Sequence, residues 1–236
     1  MPDILTEFVE QLVSAYGSQL VSVVLYGSKA SGEDVEKHSD YNVLVILNDD
    51  RFAELKKIEC KMAAWIKAGN RPPLIFSRTM LERSTDVFPI EFWDMKDSHK
   101  VLWGEDVIKD LSISQDNLRH QCEYELKGKL LRLRQLYLES QLKPRVLKDI
   151  MIKTISPVMA VSRQVLRLLG EDLPSNKASS MERLAQRAAF DYAALGAVIA
   201  LKQGDKETNK IEPVILFENY INAVEKIADF VDQLES

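Results

Sequence analysis

Residues 21–47 read VSVVLYGSKASGEDVEKHSDYNVLVIL. An apolar run, Val21–Tyr26, stops at Gly27-Ser28, a polar loop follows, and Ser39-Asp40-Tyr41-Asn42 opens a second apolar run, Val43–Leu47. Short Val-rich runs bounded by turn residues read as buried strands. The second strand opens on polar side chains at i and i+2, which alternation places on one face. Gly27 lets the backbone approach an anion closely, the N–H groups after it suit a phosphate oxygen, and Ser28 adds a hydroxyl. Lys29 adds a positive charge. Two oxygen ligands at i and i+2 are spaced to share a divalent ion, but here the second is Asn42, whose neutral amide offsets less of the ion's charge.

Outward from this stretch the first half alternates helices and strands. Ile4, Leu5, Phe8, Val9, Leu12, Val13 and Tyr16 keep helical spacing up to Gly17. Arg51–Ala68 predicts one helix, with Phe52, Leu55, Ile58, Met62 and Trp65 on a stripe and Gly69-Asn70 as its stop. Pro73–Ser77 reads as a third strand, Met80–Arg83 as a turn of helix, Val87–Lys96 as a fourth strand, and Val101–Gly104 as a short extended piece.

After Ser112 the pattern becomes helical throughout. Periods run over Gln115–Gln141, Arg145–Leu169, Ser180–Lys202 and Glu212–Leu234, separated by Lys143-Pro144, Gly170 to Pro174 and Gly204-Asp205. Long amphipathic helices with short connections predict an antiparallel bundle. The expected division is an α/β domain over residues 1–112 and a helical bundle over 113–236.

The Gly27-Ser28 pair, with Asp40 and Asn42 starting twelve residues after Ser28, resembles the nucleotidyltransferase superfamily of the polymerase β type, whose pattern is Gly-Ser followed by Asp-x-Asp. The segments DVFPIEFWDMK (86–96) and VLWGED (101–106) are similar to bacterial chains of that superfamily with no assigned substrate. The resemblance implies an α+β fold: a small mixed sheet with flanking helices, then a four-helix bundle. It implies Gly27, Ser28 and Lys29 against the nucleotide, and Asp40 and Asn42 as catalytic metal ligands. Mg²⁺ is expected to bind weakly, together with the nucleotide. The family's third carboxylate sits on a later strand, but Leu74-Ile75-Phe76 is apolar. Glu91 and Asp94, on the expected fourth strand, are the substitutes; three apart, they point to opposite faces, and Glu91 is the candidate.

The function implied is transfer of a nucleoside monophosphate from a nucleoside triphosphate to a small-molecule or protein acceptor. The alternative is a catalytically degenerate module that holds a nucleotide or a protein partner. Nucleic acid and a second copy of the chain stay open as partners. His38 lies in the loop before Asp40, and His99 and His120 have no companion at metal spacing.

Bulk composition narrows the classes. With 46% hydrophobic and 28% charged residues the 236-residue chain is of ordinary globular type. No apolar run approaches the roughly 20 residues that span a bilayer. The first residues carry acids where a secretory leader carries bases, so a cytoplasmic location is expected. Cys60 and Cys122 form no disulfide framework. The net charge of −5 conceals a band: residues 1–118 hold 13 Lys/Arg against 20 Asp/Glu, residues 119–170 hold 11 against 4, and residues 171–236 hold 7 against 12. Such a band either attracts polyanions or pairs with acids nearby. Arg119, Lys127 and Arg134 are its candidates for meeting a triphosphate.

Overall fold

The computed structural model describes residues 3–31, 40–174, 176–205 and 207–234. Ser39 and His38 therefore lie outside the described residues. The chain divides into two compact units, residues 1–114 and 115–236.

The first unit is built on a four-stranded mixed sheet in the order β3-β2-β1-β4. Strands β1 (Leu20–Tyr26), β2 (Asn42–Leu47), β3 (Leu74–Ser77) and β4 (His99–Gly104) join helices α1 (Ile4–Tyr16), α2 (Ser28–Ser31), α3 (Phe52–Ile58), α4 (Met62–Lys67), α5 (Arg78–Arg83) and α6 (Pro89–Asp97). Strand β1 is antiparallel to both neighbours, and β2 runs parallel to β3. Both central strands are nearly continuous apolar runs, broken by Ser22 in β1 and opened by Asn42 in β2, because both faces are covered. On one face Val23, Val43, Val45 and Leu47 meet Phe8, Leu12, Ile58 and Trp65. On the other, Val24, Leu44 and Ile46 meet Leu81, Phe92 and Met95. The rings of Phe8 and Trp65 stack 4.0 Å apart, tying α1 to α4.

Three expectations are corrected. Residues 87–96 do not form a strand: Pro89 occupies the first turn of α6, where its fixed φ and missing N–H suit a helix start. The helix buries Pro89, Ile90, Phe92 and Met95, with Phe92 and Met95 three apart on the face toward the sheet. The fourth strand is the later piece, His99–Gly104. The single helix over 51–68 is interrupted by a 3₁₀ turn at Glu59–Lys61, although Ile58 and Trp65 still reach one core. Phe52 stays exposed at 70%.

The second unit holds α7 (Gln115–Ser140), α8 (Pro144–Leu168), α9 (Lys177–Arg187), α10 (Ala193–Lys202) and α11 (Pro213–Asp232). Helix α8 packs against the other four and buries Leu147, Met151, Ile155, Val158, Val161 and Val165 along its length. The helix expected over 180–202 is two helices. Ala189 adopts a positive φ of 50°, Phe190 turns inward, and the Asp191 carboxylate accepts the Ala193 N–H at 2.8 Å to start α10. The bundle thus has five helices among the described residues, where four were expected. None of them is long and apolar enough to cross a membrane.

Candidate functional site

Register places the sequence motif at one end of the sheet. Tyr26, the last residue of β1, faces Asn42 on one side and His99 on the other. Gly27 follows at φ 80°, a conformation that side chains resist. A Cβ on Gly27 would lie 3.2 Å from the Asn42 amide nitrogen, so the two motif halves are adjacent and a side chain at 27 would crowd Asn42. Ser98 locks the turn reciprocally: the Gly27 N–H donates to the Ser98 carbonyl at 3.1 Å, and the Ser98 hydroxyl donates to the Gly27 carbonyl at 3.0 Å. The same Gly27 carbonyl accepts the N–H groups of Ala30 and Ser31, closing the single helical turn α2. Ser28 is exposed at its start, and the Lys29 ammonium lies 4.4 Å from the centre of the Tyr41 ring.

Asp40 precedes β2 and pairs with Arg71, whose Nε lies 2.9 Å from a carboxylate oxygen. Sequence reading missed Arg71 because it follows a helix stop and its place depends on tertiary contacts. Those contacts are specific. The Trp65 indole N–H donates to the Arg71 carbonyl at 2.6 Å. The Asn70 side-chain oxygen accepts the Tyr41 N–H at 3.0 Å, and its amide nitrogen reaches the Trp65 carbonyl at 3.4 Å. Asn70 is buried, so it joins the α4 core to the start of β2 and carries Arg71 to Asp40. Burial pushes the Tyr26 phenol above its ordinary pKa; the Arg71 guanidinium pulls it back and the Asp40 carboxylate adds to the rise. Tyr26, Asp40 and Arg71 are therefore electrostatic neighbours.

A two-metal centre needs several anionic ligands. The strands of the sheet carry no carboxylate at all. The Asp40 carboxylate holds a guanidinium, and the Asn42 ligand is neutral. Among the described residues no three His, Cys, Asp or Glu side chains group as a metal site. Among the described residues this donor set does not by itself fit a resident Mg²⁺; the resemblance implied an ion bound weakly and together with the nucleotide. Glu91 lies exposed in the first turn of α6 rather than on a strand, and on that helix Asp94 is one turn away instead of on the opposite face. In the helical unit Arg119 pairs with Glu123, Lys127 with Glu123 and Asp232, and Arg134 with Glu225. The acids of that unit thus engage its basic band locally.

No protein-family profile and no curated protein matches the chain. Among solved structures it is similar to spectinomycin adenyltransferase AAD(9) from Enterococcus faecialis, determined with ATP and spectinomycin. The TM-score is 0.57 at 10% identity, over 94% of this chain and 98% of that one. The likeness shows the fold: a nucleotidyltransferase-type sheet with flanking helices, followed by helices.

Proposed function

We propose that this chain binds a nucleoside triphosphate at the end of the sheet formed by Gly27, Ser28, Lys29, Asp40 and Asn42, and transfers its nucleoside monophosphate to an acceptor, a small molecule or a protein. The observation that carries the reading is the pairing of Tyr26 with Asn42, which sets Gly27 and its turn beside the start of β2 in a nucleotidyltransferase-type fold. A solved neighbour of this fold is an adenyltransferase determined with ATP and a small molecule, which supports a triphosphate and a small acceptor as the partners. Any Mg²⁺ enters with the triphosphate as part of the substrate.

A second reading is a nucleotide-binding module without transfer. The ion pair between Asp40 and Arg71 favours it, because a carboxylate that holds a guanidinium is poorly placed to hold a metal. Calorimetric titration of ATP, GTP, CTP and UTP tests the shared part: at least one should bind, and Ser28→Ala should weaken it. If none binds, both readings fail. Pyrophosphate release from the bound nucleotide in the presence of aminocyclitol and protein acceptors then separates them, since only the transferase releases it.

A further inference from the structure

The misfit of the described donor set with a resident metal has a counterpart in Arg71. We infer that Arg71, held by Asp40, is the cationic phosphate-binding group of this site, so that a nucleoside triphosphate binds without a divalent ion. The inference rests on the nucleotide-binding reading above and names the group that meets the phosphates.

A guanidinium carries five N–H donors in a planar fork, suited to phosphate oxygens. The 2.9 Å contact to Asp40 is made through Nε, while the side chain remains 79% exposed. Its outer edge is thus in solvent and its inner edge is anchored. The anchor is built from the fold, not from the ion pair alone. The Trp65 indole holds the Arg71 carbonyl, and buried Asn70 bonds the backbone of Tyr41, one residue after Asp40. These bonds fix where the Arg71 backbone stands beside Asp40, and the ion pair through Nε orients the guanidinium. Lys29, over the Tyr41 ring, brings a second cation to the same end of the sheet. The neutral Asn42 fits this arrangement. A carboxylate there would repel a phosphate that no metal screens, whereas an amide N–H donates to it.

The test is calorimetric titration of ATP in EDTA and in Mg²⁺, with adenosine as the uncharged control, on the full chain and on Arg71→Ala and Asn42→Asp. The inference expects ATP to bind in EDTA with an affinity within about threefold of that in Mg²⁺. Arg71→Ala should weaken ATP about tenfold or more and leave adenosine unchanged, as loss of a charge-assisted hydrogen bond implies. Asn42→Asp should weaken ATP in EDTA. ATP binding that appears only with Mg²⁺, or that Arg71→Ala leaves unchanged, overturns the inference while the nucleotide site stands. A strengthened Mg²⁺-dependent affinity in Asn42→Asp would overturn it too. If ATP binds under neither condition, the proposed function falls with it. Arg71 is exposed, so its replacement does not endanger folding; circular dichroism of each variant checks this.

Discussion

Asn70 shows how one buried amide sets the geometry of an exposed site. It occupies the stop after α4, beyond Gly69, whose φ of 89° ends the helix. Its side chain bonds the Tyr41 N–H on one side and the Trp65 carbonyl on the other. Replacing it by alanine leaves a half-buried N–H without its partner, a loss of about 1–3 kcal/mol. Asn70→Ala is therefore expected to lower the denaturant midpoint by that amount, measured by urea unfolding of the whole chain. It should also free Arg71 from Asp40 and reduce ATP affinity. An Asn70→Ala protein as stable as the parent would show that the bridge carries no weight. In the sequence, Gly69-Asn70 was legible as a helix stop. Its second role was not, because it depends on a partner 29 positions away.

At the scale of elements, the strands that open the motif were legible, because short Val- and Leu-rich runs between turn residues leave little alternative to a sheet covered on both faces. Residues 87–96 misled because Val87, Phe88, Ile90, Phe92 and Trp93 give strand-like composition. Pro89 was the opposing signal, and it fixed the helix start. The helix at 180–202 looked continuous because Ala189 has no propensity to stop one; the break lies in its positive φ and in the turn where the Asp191 carboxylate accepts the Ala193 N–H, which a sequence shows only as an ordinary aspartate. The true fourth strand carries its own constraint at its end. Gly104 has φ 79°, and a Cβ there would collide with the Val21 carbonyl oxygen of the paired strand. The Ser22 hydroxyl donates to the Glu105 carbonyl at 2.5 Å next to this point. Gly104→Ala therefore forces β4 away from β1, adding a backbone clash to the roughly 1–2 kcal/mol of left-handed strain. It is expected to destabilise the first unit by more than 2 kcal/mol in that accounting, read by urea unfolding followed through the tryptophans, all three of which lie in that unit. A loss below about 1 kcal/mol would mean that the strand end adjusts freely.

Across the whole molecule, each unit buries a tyrosine whose phenol is pushed up to about 12. In the first unit burial and the Glu54 carboxylate raise Tyr16; in the second, burial raises Tyr220. The Thr154 hydroxyl donates to the Ile150 carbonyl at 2.8 Å, which leaves Tyr220 to donate to Thr154 Oγ1 across 3.0 Å between α11 and α8. A folded pKa above the unfolded value of about 10 means that this stability is complete below pH 10 and is lost as pH rises through 12. For Tyr220 the loss is of the order of 3 kcal/mol. Tyr220→Phe should flatten the alkaline decline of the melting temperature, at the expense of about 1 kcal/mol near neutrality from the missing hydrogen bond. An alkaline profile identical to the parent's would contradict the buried-phenol account. The central claim, however, is the nucleotide site at the end of the sheet, and amide chemical-shift mapping by ¹H–¹⁵N NMR during an ATP titration tests it most directly. The account predicts the largest shifts at Gly27, Ser28 and Lys29 together with Tyr41, Asn42, Asn70 and Arg71. Shifts that gather elsewhere and leave Gly27 to Lys29 unmoved, or no shifts at all, would contradict it.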